Sequence, residues 1–163
     1  MRKLCLLFLL IGTYCYAGEK KYTVDSPDGK IQLAIIQTDA GELTYQLSVK
    51  RKQVIDASAL GFKTEDGLTF PFRGWKMGKV TRNKVNSVWK PLWGKRAVVP
   101  DKYNEMKLSF VNEAKSSDAL EVVARAYNEG VAFRYVSPQG AGSALELTTF
   151  NFAGDYTIFA IPN

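Results

Sequence analysis

The side chains best able to do chemistry in this 163-residue chain are its carboxylates, because it has no histidine and only two cysteines, Cys5 and Cys15. That excludes a Ser-His-Asp triad. Once the leader described below is set aside, it also excludes a Cys-His pair and an ordinary zinc site. Carboxylate acid–base work, a Ser-Lys arrangement and an oxygen-ligand calcium site stay open. None of them has a local signature. Glu65, Asp66, Asp101, Asp118 and Glu129 are scattered through turn-like segments, where acids stay solvated. Asp28-Gly29 and Asp66-Gly67 share only their Asp-Gly pair with a calcium loop and lack its alternating acidic ligands. Both read as turns, since Asp-Gly suits positions of positive φ.

The cations are distributed less evenly. From Gly67 to Pro100 there is no Asp or Glu, while Arg73, Lys76, Lys79, Arg82, Lys84, Lys90, Lys95 and Arg96 are interleaved with Trp75, Trp89 and Trp93. A basic and aromatic mixture of this kind would suit nucleic acid, because cations neutralise phosphates and indoles stack on bases. The leader argues against that partner. The alternatives are solvated strand faces with a loop, an anionic glycan, or a partner domain.

The elements that must position these residues are short strands. Leu43, Tyr45, Leu47 and Val49 alternate with polar residues, the period of a half-buried antiparallel strand. With residues 30–38 and the connection 39–42 it forms an expected hairpin. Further strands are expected over 22–25, 54–56, 60–63, 79–84, 106–112, 131–137, 145–150 and 156–161. Residues 119–127 could open as a helix capped by Ser117 or Asp118. Alternation of Leu120, Val122, Ala124 and Ala126 with Glu121 and Arg125 favours a strand, which Asn128-Glu129-Gly130 then turns. Many short strands with no repeat or linker predict one all-β antiparallel sandwich. The apolar run 156–161, followed only by Pro162 and Asn163, suggests a sandwich incomplete on its C-terminal side, and hence poorly soluble.

Residues 1–17 read as a secretory signal: Arg2 and Lys3, an apolar run from Leu4 to Ile11, and Ala17 where a peptidase could cut. Too short to span a bilayer, the segment predicts a periplasmic or secreted domain over 18–163, without membrane attachment after cleavage. Tyr14 before Cys15 and Leu4 before Cys5 make lipidation the weaker alternative.

Several blocks together carry a family resemblance: Ser26-Pro27-Asp28-Gly29-Lys30, Leu43-Thr44-Tyr45, Trp89-Lys90-Pro91-Leu92-Trp93-Gly94, Tyr103-Asn104-Glu105, Arg125 to Tyr135, and Thr148-Thr149-Phe150-Asn151-Phe152. This order resembles the N-terminal domain of glycoside hydrolase family 97, which includes exported α-glucosidases and α-galactosidases. Lys95 and Thr149 depart from the pattern, standing where an acid is the more usual residue.

The resemblance implies a mutarotase-like supersandwich packed on a catalytic (β/α)8 barrel, and a parent enzyme acting on oligosaccharides with α-linked glucose or galactose. It places the catalytic carboxylates and a glutamate-bound calcium ion in parts this chain does not include. Glycosidic cleavage needs two carboxyl groups converging roughly 5 to 9.5 Å apart, so residues 18–163 alone are expected to be inactive and to hold no metal. Trp89 and Trp93 are candidates for stacking on sugar rings, or else for packing in the core or between domains, and Lys95 and Arg96 for meeting the barrel or an anionic ligand, or for simple surface solvation. Arg134 is a candidate substrate clamp or, more simply, an ion-pair partner on a sheet face. A free-standing exported carbohydrate-binding or interaction module is the alternative.

Overall fold

The computed structural model describes residues 19–65, 67, 69–71, 75–113, 119–137, 143–157 and 159. The expected signal segment 1–17 lies outside them, as do Asp66, Arg73, Ser117 and Asp118. Every regular element among the described residues is a strand. In chain order they are β1 (Lys20–Asp25), β2 (Ile31–Gln37), β3 (Leu43–Val49), β4 (Lys52–Leu60), β5 (Phe62–Thr64) and β6 (Thr69–Phe70). There follow β7 (Trp75–Trp89), β8 (Val99–Asn112), β9 (Ala119–Tyr127), β10 (Val131–Val136) and β11 (Ala144–Glu146).

All pairings are antiparallel. One sheet has the order β1-β2-β3-β4, the facing sheet β10-β9-β8-β7, and a small third sheet β11-β5-β6 continues the first beyond Gly61. A Cβ at Gly61 would run into the carbonyl oxygen of Phe70, so the junction requires a residue without a side chain. The core lies between the two main sheets. Val24, Leu33, Ile35, Leu43 and Tyr45 from one face Met106, Leu108, Phe110, Leu120, Val122, Ala124 and Ala126 from the other. Leu43, Tyr45, Leu120, Val122, Ala124 and Ala126 are among the residues the period-two alternation picked out, whereas Leu47 and Val49 of the same pattern are half-buried. The helix alternative for 119–127 fails because β9 is a central strand, paired on both sides by β8 and β10.

β7 and β8 run longer than the expected 79–84 and 106–112, β6 was not expected, and the last two expected strands depart most. Strand character over 145–150 shrinks to Ala144–Glu146, although residues 143–153 still run antiparallel along β4 and β5. Main-chain bonds from Leu147 N to Gly61 O, Thr149 N to Ala59 O, Asp56 N to Asn151 O and Ala153 N to Val54 O hold this strap in place. Side chains interrupt the ladder. Ala59 N–H donates to Thr149 Oγ1 (2.8 Å), Asn151 N–H to Ser58 Oγ (2.9 Å), and Asn151 Nδ2 to Ala57 O (2.7 Å). The expected strand over 156–161 is absent at its described positions Tyr156, Thr157 and Phe159. Tyr156 instead packs on Phe152, with ring centroids 6.3 Å apart, and an apolar run with no neighbouring ladder forms no strand.

The sheets are offset. β1 lies over β8 and β9, and β2 over β9, while β3 meets β10 through Tyr45 and Phe133 at 5.7 Å. On one side β7 therefore overhangs the edge strand β1, and on the other β4 and the strap reach past β10.

Candidate functional site: the β7–β8 ribbon and the outer sheet face

β9 pairs with β8 only from Tyr103 onward, where Tyr103 meets Tyr127. Beyond that point Asn86–Trp89 and Val99–Lys102 pair with each other alone, and a two-stranded ribbon projects roughly 13 Å at about 3.3 Å per residue. Trp89 pairs with Val99 at its end, and residues 90–98 close the tip, with Gly94 at φ 130. The tip is bare: Leu92 is 101 % exposed, Trp93 88 % and Trp89 54 %. Lys90, Lys95 and Arg96 are exposed around them. Both indoles are thus surface groups. Trp75, the third, sits in the core against Phe70 at 5.3 Å.

Four of the five candidate residues, Trp89, Trp93, Lys95 and Arg96, are therefore brought together on one tip. Arg134 is not among them. It lies on β10, turned to the outer face of the second sheet beside Val123. It lines a recess of about 130 Å³ with Val123, Arg125, Tyr127, Ala132 and Phe133. Among the described residues no acid is paired with it. Two acids of β8 and β9 on that face are engaged elsewhere, Glu105 by Arg125 and Glu121 by Ser109 Oγ at 3.3 Å.

That pair is a feature the sequence did not single out. Tyr103, Glu105 and Lys107 of β8 face outward, because Met106, Leu108 and Phe110 face the core. Arg125 Nε donates to Glu105 Oε2 at 2.8 Å, and Lys107 Nζ stands 3.8 Å from Glu105 Oε1. The Arg125 guanidinium lies 4.3 Å from the Tyr103 ring centroid, within cation–π range, and Tyr127 packs on Tyr103 at 5.0 Å. The bond to Glu105 raises the Arg125 pKa above its ordinary value, against the opposing effect of burial. Tyr103 and Glu105 are buried although they face away from the core. The signal that could have found this cluster is the odd-position alternation of Tyr103, Glu105 and Lys107 opposite Arg125 and Tyr127.

A polar cleft of about 620 Å³ opens where β7 overhangs β1, lined by Asp25, Ser26, Arg82, Lys84, Asn104 and Glu105 among others. Arg82 Nη2 donates to Thr23 O (3.2 Å) and Asn104 Nδ2 to Asp25 O (2.7 Å). Its two acids do not face each other. The Asp25 carboxylate accepts from Gln32 on the outer face of the first sheet (2.8 Å), and Glu105 points to the outer face of the second. Such a cleft lacks the converging carboxyl pair that glycosidic cleavage requires. Among the described residues no three or more Asp, Glu, His or Cys side chains are grouped to hold a metal. The calcium ion implied for the family therefore does not fit the described residues.

The geometry defines an antiparallel β-sandwich domain with a cationic, tryptophan-tipped ribbon. Residues 24–163 match the family model described as Glycosyl-hydrolase 97 N-terminal, and the chain belongs to that family. It is 26 % identical over 161 residues to a retaining alpha-galactosidase of Bacteroides thetaiotaomicron, covering 96 % of this chain and 23 % of that protein. It is 29 % identical over 153 residues to a probable retaining alpha-galactosidase of Streptomyces bingchenggensis, covering 91 % and 24 %. Among solved structures, a Glycoside Hydrolase Family 97 enzyme from Pseudoalteromonas sp. strain K8, in complex with panose or acarbose, superposes with a TM-score of 0.70 at 34 % identity. That match covers 81 % of this chain and 20 % of the other. The chain thus spans about a quarter of the curated relatives and a fifth of the solved one.

Proposed function

We propose that this chain is the non-catalytic N-terminal sandwich of an exported α-glycosidase acting on α-linked glucose or galactose, and that its ribbon tip meets either the sugar or the catalytic barrel of that enzyme. The observation that carries this is the family match over 24–163 in a chain that spans only 20 to 24 % of its glycosidase relatives. The outward divergence of Asp25 and Glu105 supports a non-catalytic role. Panose and acarbose bound to the Pseudoalteromonas enzyme support an α-glucoside, and the curated relatives support an α-galactoside. Calcium, which the family resemblance implies, goes with the catalytic part in this reading. Export to the periplasm or beyond rests on Arg2, Lys3, the Leu4–Ile11 run and Ala17.

The test is direct. The purified chain is incubated with nitrophenyl α-glucoside and α-galactoside, with and without calcium, and is expected to release no nitrophenol above a blank; release would overturn the assignment. Titration with panose, maltooligosaccharides and galactosides, read by Trp fluorescence, separates the two roles of the tip. Saturable quenching abolished by Trp93→Ala means that the tip binds sugar, and no quenching at millimolar sugar leaves it as a contact to the barrel.

A further inference from the structure

The side of the sandwich away from the β7 overhang is open. The Tyr127 N–H bond to Gly130 O (2.8 Å) fixes which β10 groups face β9. In an antiparallel ladder hydrogen-bonded pairs alternate with non-bonded ones, so Ala132, Arg134 and Val136 turn their main-chain groups to β9. Val131, Phe133 and Tyr135 turn theirs outward, where no described strand pairs with them. Among the described residues β10 is thus an edge, with three residues' worth of main-chain donors and acceptors that no described strand pairs.

Opposite this edge lies apolar surface that no described strand covers. Phe152 is bridged to Ile55, and bridged residues share a face, so Phe152 points inward beside a core residue. Phe150, two positions before it, points the same way and meets Tyr45 edge-on at 6.2 Å. Yet Phe150 is 61 % and Phe152 45 % exposed, because the second sheet stops at β10 before reaching them. Phe133 and Tyr135, on the inner face of β10, are only partly buried for the same reason.

We propose that β10 and the Phe150/Phe152 shelf form a strand-addition site. It takes one extended segment whose main chain pairs with Val131, Phe133 and Tyr135 and whose alternate side chains are apolar and seat on the two phenylalanines. Main-chain pairing dictates an extended partner, and the shelf dictates its apolar period of two. The supplier is the remainder of the glycosidase, of which this chain spans about a fifth; that choice rests on the proposed function, whereas the site rests on β10 alone. Leu145, also exposed, pairs with Lys63 on the opposite face and takes no part.

Amide hydrogen exchange on the whole chain tests this without any enzyme assay, so its failure is distinct from a failure of the glycosidase assignment. The probes are a nine-residue Lys-flanked peptide alternating Thr and Val, and the same peptide N-methylated at every second residue. In the free chain Val131, Phe133 and Tyr135 are expected to exchange fast, and Ala132, Arg134 and Val136 slowly. Excess peptide should slow the first three by about tenfold or more, the methylated peptide should not, and light scattering should report a monomer throughout. Slow exchange at those three amides in a free monomer, or no slowing by the unmodified peptide, overturns the site. A dimer that protects them overturns the assignment to the rest of the enzyme and makes a second copy the occupant.

Discussion

Arg125 serves two neighbours at once: its guanidinium lies 4.3 Å from the Tyr103 ring centroid while its Nε donates a 2.8 Å bond to Glu105. The two ends of that bond differ in exposure, with the Glu105 side chain 7 % accessible and that of Arg125 33 %. Removing either partner therefore has unequal consequences. Arg125→Met leaves a buried carboxylate with only Lys107 nearby and is expected to cost about 3 kcal/mol. Glu105→Gln leaves a cation that can turn to water and should cost about 1 kcal/mol. Urea unfolding of both variants measures the difference, and equal costs would contradict this account of the pair.

Phe70 is fully buried and meets Phe62, Trp75, Phe110 and Tyr135 at centroid distances of 5.7, 5.3, 5.3 and 6.0 Å. Phe70→Ala should cost roughly 3–5 kcal/mol, as large-to-small changes at packed aromatic sites do. Phe150→Ala on the open shelf should cost under about 1 kcal/mol. Thermal melts that ranked the two in reverse would show the core to be elsewhere.

Lys50 and Arg51 join β3 to β4 at φ 51 and 67, both in the left-handed region that side chains disfavour. This two-residue turn is of the kind that favours Asn-Gly. The double change Lys50→Asn, Arg51→Gly is expected to stabilise the chain by about 1 kcal/mol, the relieved strain exceeding the added freedom of glycine when unfolded. A lower denaturation midpoint would refute it.

Asp28 caps the β1–β2 turn. Its carboxylate accepts from Ser26 Oγ (2.7 Å) and Lys30 N (3.1 Å) and pairs with Lys30 Nζ (3.0 Å). These bonds, the Ser26 one foremost, lower its pKa from 3.8 to about 2. A depressed folded-state value means that the contribution is whole above 3.8 and is lost as pH falls toward 2. Carboxyl NMR titration should place the Asp28 midpoint near 2, with Ser26→Ala moving it back up; an unshifted midpoint in the parent chain would remove the cap.

Tyr135 behaves in the opposite sense. Burial pushes its phenol from 10.0 up to about 12, partly countered by its bond to Thr148. The folded chain then holds this proton where the unfolded chain has lost it, so stability should fall as pH rises from 10 toward 12. Tyr135→Phe should flatten that alkaline decline in urea midpoints, and an unchanged decline would assign it to other groups.

Much of the sandwich is legible because its faces differ in wetness. Leu43 to Val49 and Met106 to Phe110 alternate, and each became a strand with the greasy positions inside. β7 and β8 were only half visible: 79–84 and 106–112 read as strands, but 86–89 and 99–102 leave the sandwich, where neither face is dry and no pattern marks them. The strap was misread because Thr149, Asn151 and Ser58 replace ladder bonds with side-chain bonds, which no periodicity reports. Thr149, a departure from the family pattern, has a structural task here: its hydroxyl oxygen accepts from Ala59 N–H at 2.8 Å. The ribbon tip was legible as composition, Trp beside Lys and Arg, yet only the pairing of Trp89 with Val99 lifts it clear of the core. The Arg125–Glu105 contact spans twenty residues and needs the β8–β9 register to be seen at all.

The bonds from Arg82 and Asn104 to the carbonyls of Thr23 and Asp25 bear on how such a molecule behaves when crowded. They plug the rim of β1 with groups that belong to another layer, just as the strap seals β4 and the lysines of β7 repel a newcomer. A polymer grows only if each arrival exposes a fresh docking rim like the one it used. Here the plugged carbonyls of β1 and the strapped rim of β4 are the two margins of one sheet, so a copy arriving sideways at that sheet meets groups already engaged within the molecule.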